Sequence, residues 1–184
     1  TSSRAMSFSS YRYREYWWLD EWALYAAVAG ALGTPDWRVW PPPIRDRREA
    51  AMRDAPQHFA RDVLRHPYIQ WQASLQWQTA RDWARRDGVT VFGDMPFMVA
   101  AASPDVWARQ DEFLFDVSLG VPPDEFSATG QDWGLPAYAW DRIARTDYAW
   151  MRQRARRMAE LYDGYRVDHL IGLYRTYGRP SVGD

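Results

Sequence analysis

The chain has 184 residues, of which 47% are hydrophobic and 26% are charged, a composition typical of a folded globular protein and outside the range of disordered chains. Its formal net charge of −1 gives no electrostatic reason to expect nucleic acid or an anionic membrane as a partner. The sequence contains no cysteine, which excludes disulfides, thiolate zinc sites and cysteine nucleophiles together.

The sequence carries no signal for a membrane or for export. It has no run of about 18 apolar residues, and no charged-then-apolar segment opens the chain. We therefore expect a cytoplasmic protein with no membrane partner. A chain of 184 residues can form one ordinary domain but is short for a self-contained (β/α)₈ barrel, so it is expected to be one domain or a piece of a larger one.

The first half of the chain is predicted to be mainly helical. Apolar side chains at helical spacing and suitable end signals predict helices over residues 16–32, 47–52 and 68–87. Asp46 is expected to cap the second helix. Pro56 and Pro67 are expected to interrupt helical structure before the third helix. Residues 1–15 are polar and predict a loop. The three consecutive prolines within residues 37–43 predict an ordered extended loop.

The second half of the chain alternates short strands with helix. The β-branched and aromatic residues 89–92 follow a helix directly, as a buried parallel strand does, and residues 165–170 form a second run of this kind. A helix that opens at residue 147 lies between them. Residues 95–140 show little periodicity, which predicts a long functional loop.

The order of these elements predicts a parallel α/β fold, because each short strand follows a helix and ends at charged residues. Ligands in such folds bind at the carboxyl ends of the strands. The sequence places Asp94 at the first of these ends and Asp168 at the second. We therefore expect the chemistry of the protein at these two carboxylates.

Arg166 and Asp168 lie two residues apart on a predicted strand, so their side chains leave the same face. A guanidinium close to a carboxylate lowers the pKa of the acid and keeps it ionised. A nucleophile, or a stabiliser of an oxocarbenium-like centre, needs that state. An ordinary structural ion pair is the alternative interpretation of the same spacing.

Two further features have a functional and a structural interpretation. Asp94 could bond a polar substrate or hold a catalytic group, or it could cap the turn that follows it. In the segment from Gly120 to Trp133, Phe126 and Trp133 could stack on sugar rings and Gln131 could bond hydroxyl groups. The alternative is a proline-rich connection whose aromatic side chains fill the core.

The histidines and glycines indicate neither a metal nor an organic cofactor. His58, His66 and His169 are too scattered for a metal site. The glycines form no phosphate-binding loop, nucleophile elbow or dinucleotide fingerprint. His169 is kept as a candidate because it adjoins Asp168.

A series of short motifs then runs in order along nearly the whole chain. They occupy residues 18–25, 40–41, 93–97, 103–108, 120–124, 126–131, 133–134 and 165–169. Each motif alone is unspecific. As an ordered set they resemble the amylomaltase family, the 4-α-glucanotransferases also called disproportionating enzymes.

The resemblance implies a fold and a set of roles. The fold is a (β/α)₈ TIM barrel with helical and loop insertions, of which residues 1–184 would form part of a single catalytic barrel, incomplete at both ends. Asp168 would be the nucleophile of a covalent glucosyl-enzyme intermediate, with Arg166 fixing its charge. The partners implied are α-1,4-glucans, namely maltooligosaccharides and amylose. The substrate-binding residues implied are Asp94, His169, Asp124, Phe126, Gln131 and Trp133, the last four on a mobile loop over the glucan.

The resemblance also implies that one catalytic group lies elsewhere. A retaining mechanism needs a second carboxylate about 5 Å from the nucleophile as acid and base. In the family this group comes from a later strand, beyond residue 184, so this chain by itself is expected to be inactive. The alternatives are an α-glucan hydrolase of related barrel type, in which water takes the intermediate, and a non-catalytic glucan-binding fragment.

Overall fold

The computed structural model describes residues 3–181, which form two compact units. The first, here called the helical unit, comprises the residues up to 87 together with residues 102–108. The second, the mixed unit, comprises residues 88–101 and the residues from 109 onward. The α-helices of the helical unit are α1 (Ser3–Leu32), α2 (Pro42–Arg45), α3 (Glu49–His58), α4 (Ala60–Arg86) and α5 (Pro104–Ala108).

Helix α1 confirms one prediction and overturns another. The helix ends at Leu32 as predicted, and Gly33 follows with a φ of +70°, a conformation that glycine adopts at little cost. The loop predicted for residues 1–15 is wrong from Ser3 onward, and residues 1 and 2 lie outside the described residues. Tyr11 and Leu19 are buried against Trp71 of α4, so tertiary packing stabilises a segment whose own composition is polar.

Of the predictions made at prolines, the extended loop over residues 37–43 and the interruption at Pro67 are wrong, whereas the interruption near Pro56 occurs at Phe59, between α3 and α4. Pro42 and Pro43 form the first turn of α2, where a missing N–H costs nothing, so residues 37–43 are not one extended loop. Pro56 lies in the last turn of α3, and Pro67 lies inside α4. Pro67 is fully buried, and the packing of its ring offsets the hydrogen bond that it cannot donate.

Within residues 3–181, no helix is both long and apolar enough to cross a bilayer.

The predicted cap of α3 is also wrong. Asp46 follows the last residue of α2, and its carboxylate pairs with the Arg45 guanidinium, Nε to Oδ1, at 2.6 Å. The residue before α3 is Arg48, whose side chain makes no capping hydrogen bond. Asp46 is therefore held by its neighbour in sequence and is not available to the amide groups of α3.

An aromatic cluster forms part of the core of the helical unit. Trp107 of α5 is fully buried, and its indole N–H donates to the Ile44 carbonyl at 3.1 Å. Its ring centroid lies 5.5 Å from that of Trp40 and 5.9 Å from that of Tyr25. The Arg47 guanidinium lies 4.4 Å from the same ring. Trp107 thus joins α5 to α1 and to the segment around α2.

The mixed unit contains two sheets. Its strands are β1 (Phe92–Met95), β2 (Phe113–Val121), β3 (Gln131–Tyr138), β4 (Gly164–Val167) and β5 (Tyr177–Pro180), and its α-helices are α6 (Trp140–Arg145) and α7 (Ala149–Leu161). Strands β1 and β4 pair in parallel, which confirms the predicted orientation of the two short strands. The second sheet is antiparallel with the order β3-β2-β5. The mixed helix-and-strand architecture agrees with the predicted α/β class, whereas the antiparallel sheet was not expected.

The predicted strand over residues 89–92 is displaced. Strand β1 begins only at Phe92, which pairs with Gly164, the first residue of β4. Upstream of this pair, Val91 is bonded to Asp163 through both its amide and its carbonyl, and among the described residues no strand pairs with residues 89–90. Phe92 is exposed, so the buried strand expected here is not seen.

The loop predicted for residues 95–140 is wrong, because α5, β2 and β3 lie within it. Strand β2 shows no alternation of buried and exposed residues, since its pairing with β3 shifts register between Leu114 and Ser118 and again between Leu119 and Gly120. Such irregularities erase the period of two that predicts a strand. The segment from Gly120 to Trp133 is therefore the end of a β-hairpin and not a free loop.

The helix predicted to open at residue 147 begins two residues later. Asp147 and Tyr148 have φ values of 52° and 55° and separate α6 from α7, which starts at Ala149. Two consecutive residues in the left-handed region cannot continue a right-handed helix. Arg154 of this helix is half-buried and bonds to other parts of the mixed unit.

Glu112, next to β2, provides a test of stability. Its Oε2 is buried with no hydrogen-bond partner among the described residues, and burial raises the pKa of Glu112 above the ordinary 4.5. The folded state therefore favours the protonated acid. This preference adds to the free energy of unfolding below pH 4.5, and the added stability is lost as pH rises through the raised pKa. We expect Glu112→Gln to raise the free energy of unfolding at pH 7 by about 1 kcal/mol and to change it little at pH 4, as measured by urea denaturation.

The matched control is Glu125→Gln, because Glu125 is an exposed acid of the same unit. It should leave the unfolding free energy unchanged at both pH values. An equal gain for Glu112→Gln at pH 4 and pH 7 would show that the buried charge is not the cause.

Candidate active site

The parallel pairing of β1 and β4 brings the predicted carboxylates together. Asp94 of β1 lies opposite Arg166 of β4 in the register of the two strands. Beyond the last residue of β4, the Asp168 amide donates to the Met95 carbonyl at 3.1 Å and extends the pairing by one bond. Asp94, Arg166 and Asp168 therefore meet at the carboxyl ends of the two strands.

The Arg166 guanidinium bridges the two acids. Its Nε and Nη2 donate to the two carboxylate oxygens of Asp94 at 3.0 and 2.6 Å, and Nη2 also lies 3.4 Å from Asp168 Oδ1. These hydrogen bonds hold the pKa of the Asp94 carboxyl below its usual value. The predicted approach of Arg166 to Asp168 is confirmed, but the two-pronged contact goes to Asp94, which sequence spacing within one strand could not reveal.

The three side chains are open to solvent. The exposed fractions are 55% for Asp94, 68% for Arg166 and 58% for Asp168. Because water competes with exposed ion pairs, this arrangement contributes little to stability. The same exposure leaves the carboxylate of Asp168 accessible to a ligand.

Asp168 lies at a cleft of about 440 Å³ within the mixed unit. The residues that line it are Pro96, Phe97, Met98, Trp133, Leu135, Asp168 and His169. Apolar and aromatic walls with few polar groups are typical of ligand sites. Four of these residues were not among the predicted site residues: residues 96–98, which form one wall, and Leu135. The available signal was the position of residues 96–98 directly after a strand that ends in an acid.

His169 and Trp133 form one corner of this cleft. His169 has a φ of 49°, and its ring centroid lies 5.3 Å from that of Trp133, edge to face. The Trp133 indole N–H donates to Gln131 Oε1 at 3.1 Å. Trp133 thus contacts both His169 and Gln131, two further predicted sugar-binding residues, and the amide oxygen of Gln131 is already engaged.

The other two predicted residues of the hairpin lie at its tip. Asp124 Oδ1 accepts from the amides of Phe126 and Ser127 at 2.9 and 2.7 Å, so this carboxylate caps the turn. The Phe126 side chain is 88% exposed. Neither Asp124 nor Phe126 lines the cleft.

Close to its turn, the hairpin is held by a polar contact between its strands. The Ser118 hydroxyl of β2 donates to Asp132 Oδ1 of β3, which also accepts from the Gly134 amide at 2.9 Å. These bonds lower the pKa of Asp132. Among residues 3–181, no group of three or more histidine, cysteine or acidic side chains is placed to hold a metal ion.

A family model described as 4-alpha-glucanotransferase matches residues 1–182. The chain belongs to this family. The resemblance found in the sequence motifs is thereby confirmed. The 4-alpha-glucanotransferase of Thermus thermophilus is 40% identical over 181 residues, which are 95% of this chain and 36% of the relative. The chloroplastic/amyloplastic enzyme of Solanum tuberosum is 35% identical over 170 residues, 89% of this chain and 30% of the relative.

Solved structures of amylomaltases share the fold. The amylomaltase of Streptococcus agalactiae in complex with acarbose matches with a TM-score of 0.84 and 28% identity, over 98% of this chain and 41% of that one. The amylomaltase of Corynebacterium glutamicum matches with a TM-score of 0.80 and 25% identity, over 100% of this chain and 24% of that one. This glucanotransferase-family chain therefore spans about a third of the length of the curated relatives it matches.

Proposed function

We propose that the 184 residues belong to one catalytic (β/α)₈ barrel with helical and loop insertions, and that the enzyme is a 4-α-glucanotransferase. The observation that carries the proposal is the position of Asp168, at the carboxyl end of a parallel strand, beside Arg166 and at an aromatic cleft. The term complete enzyme is used below for a polypeptide that contains these residues together with the regions that the longer relatives have in addition. The acarbose bound by the Streptococcus agalactiae amylomaltase supports an oligosaccharide ligand.

In the first half of the reaction, an Asp168 carboxylate oxygen attacks C1 of a glucose unit in an α-1,4-glucan. The bond between C1 and the glycosidic oxygen breaks, and the departing glucan takes a proton on that oxygen from a general acid. The product is a glucosyl ester of Asp168. Arg166 stabilises the ionised form of this carboxylate before the attack.

In the second half, the 4-hydroxyl of an acceptor glucan attacks C1 of the ester. Its proton passes to the base that earlier served as the acid, and Asp168 leaves as a carboxylate. Asp94 is unsuited to this role, because its two bonds from Arg166 lower its pKa and keep it ionised. As the family resemblance implies, the acid and base is assigned to a carboxylate outside these residues.

The predicted sugar-binding residues have different places in this proposal. His169 and Trp133, which line the cleft, are proposed to contact the glucan near the nucleophile. Gln131 and Asp94 do not line the cleft and are proposed to contact the glucan from beside Trp133 and Arg166. Asp124 and Phe126 are proposed to reach it only from the hairpin tip. Transfer prevails over hydrolysis when the acceptor binds while water is kept out, and an aromatic hairpin over the cleft can provide that exclusion.

The test is an incubation of the complete enzyme with maltotriose. We expect glucose together with maltooligosaccharides longer than the substrate, separated and quantified by chromatography. The 184-residue chain by itself is expected to yield neither, because the general acid and base is proposed to lie outside it. Glucose and maltose without longer products would instead identify a hydrolase, and binding without turnover would identify a glucan-binding protein.

A further inference from the structure

One wall of the cleft is an irregular segment. Residues 96–98 follow β1, lie outside the strand ladder and line the cleft together with Asp168. The carbonyl groups of Pro96 and Phe97 have no strand to bond to, and polar backbone groups of this kind need another partner to hold a defined position. What fixes these two carbonyls also determines the shape of the wall.

One arginine of α7 bonds to both carbonyls. Arg154 Nη2 donates to the Pro96 carbonyl at 2.5 Å, and Nη1 donates to the Phe97 carbonyl at 3.3 Å. The Tyr138 hydroxyl also donates to the Phe97 carbonyl, at 2.6 Å, and accepts from Arg154 Nη1 at 3.2 Å. A planar guanidinium presents its donors in a rigid fork, so it can hold two adjacent carbonyls at once.

The guanidinium itself is held in place. It lies 5.0 Å from the centroid of the Trp150 ring, and Trp150 is buried. A cation over an aromatic face is stabilised further when the site is partly desolvated, as this half-buried arginine is. Helix α7 therefore presents a fixed donor group to the segment after β1.

The wall is packed directly against the neighbour of the nucleophile candidate. Phe97 is buried, and its ring centroid lies 6.1 Å from that of His169. A Cβ placed on Gly172 would lie 2.6 Å from Phe97 Cδ1 and 2.8 Å from His169 Cδ2, which shows how little space remains on that side. A displacement of the Phe97 backbone would therefore be passed on to His169 and to the cleft beside Asp168.

We propose that Arg154 is a positioning residue of the active site. Its guanidinium holds the Pro96 and Phe97 carbonyls so that Phe97 supports His169 and the cleft keeps the shape that a glucan needs. Arg154 does not touch the reacting atoms. The reaction it would serve is the transfer proposed above, so the inference rests on that proposed function, and its test includes a measurement that is independent of activity.

The test compares Arg154→Met and Arg154→Lys with the parent in the complete enzyme. Methionine removes the hydrogen bonds to Pro96, Phe97 and Tyr138, and lysine keeps the charge but replaces the fork with a single ammonium group. We expect kcat/KM for maltotriose to fall at least about tenfold in Arg154→Met and less in Arg154→Lys, mainly through a higher KM. We also expect amide hydrogen exchange within residues 95–101 to accelerate by at least about tenfold in Arg154→Met, while exchange in β2 and β3 stays unchanged.

The matched control is Arg152→Met. Arg152 lies on the same helix, is exposed, and pairs with Asp147 at 2.8 Å. It should alter neither kcat/KM nor the exchange of residues 95–101. If Arg154→Met does not fold, Arg154→Lys carries the test with the same two measurements.

The outcomes separate the inference from the function on which it rests. Unchanged exchange of residues 95–101 in both variants would overturn the role of Arg154, whatever the activity. Faster exchange with an unchanged KM and kcat would also overturn it, since the wall would then have no effect on the site. A parent enzyme that forms no transfer products would instead refute the proposed function, and the exchange measurement would still decide whether Arg154 holds the wall.

Discussion

Asp168→Asn in the complete enzyme is expected to lower the rate of maltotriose disproportionation by at least about 10³-fold, because a neutral amide cannot form the glucosyl ester. The substitution changes almost no volume. Arg166 keeps its two bonds to Asp94, at 3.0 and 2.6 Å, so the strand ends and the cleft should keep their shape. The affinity for maltotriose, measured by calorimetry, should therefore change far less than the rate.

The difference between rate and affinity makes this experiment informative. A residue that only shapes the cleft would change both, whereas a nucleophile changes the rate alone. The matched control is Asp116→Asn, an exposed acid of β2 with no place in the proposed reaction. If Asp168→Asn retained a tenth of the parent rate, the assignment of the nucleophile would be wrong.

Trp107→Ala is expected to destabilise the helical unit by about 3–5 kcal/mol, the range for removal of a large aromatic side chain from a core. Trp107 is fully buried, and its ring contacts Trp40, Tyr25 and the Arg47 guanidinium. Alanine would leave a cavity, and it would leave the Ile44 carbonyl without its 3.1 Å donor. The measurement is urea denaturation of the chain, followed by circular dichroism.

Two further variants serve as comparisons for Trp107→Ala. Trp107→Phe keeps an aromatic ring but no N–H, so its free energy of unfolding should lie between that of the parent and that of the alanine variant. Trp83→Ala removes an indole that is 66% exposed and should cost less than about 1 kcal/mol. Equal losses for Trp83→Ala and Trp107→Ala would contradict the assignment of Trp107 to a core.

The placement of the charged residues at the strand ends was largely predictable from the sequence. Arg166 and Asp168 are two residues apart, and a strand has a period of two, so their shared face followed from local geometry. The parallel orientation of β1 and β4 followed from the helix that precedes each of them. The family followed from motifs in a fixed order, which depend on residue identity and not on structure.

Other features depended on partners distant in sequence. Residues 3–15 are helical because Tyr11 packs against Trp71, and Pro67 stays within α4 because its ring is buried. The hairpin was missed because irregular pairing hides its alternation. The two-pronged bond between Arg166 and Asp94 joins residues 72 positions apart, and only the register of two strands brings them together.

The sequence alone determined the family, the parallel orientation of the short strands and the acids at their ends, since each of these depends on residue identity or on short-range periodicity. Tertiary structure alone decided which acid forms two hydrogen bonds with Arg166, which hairpin residues line the cleft, and that Arg154 bonds to the carbonyls of the cleft wall. The physical reason is that helix and strand periods act over a few residues. Burial, register and hydrogen bonding between distant segments are settled only when the chain folds.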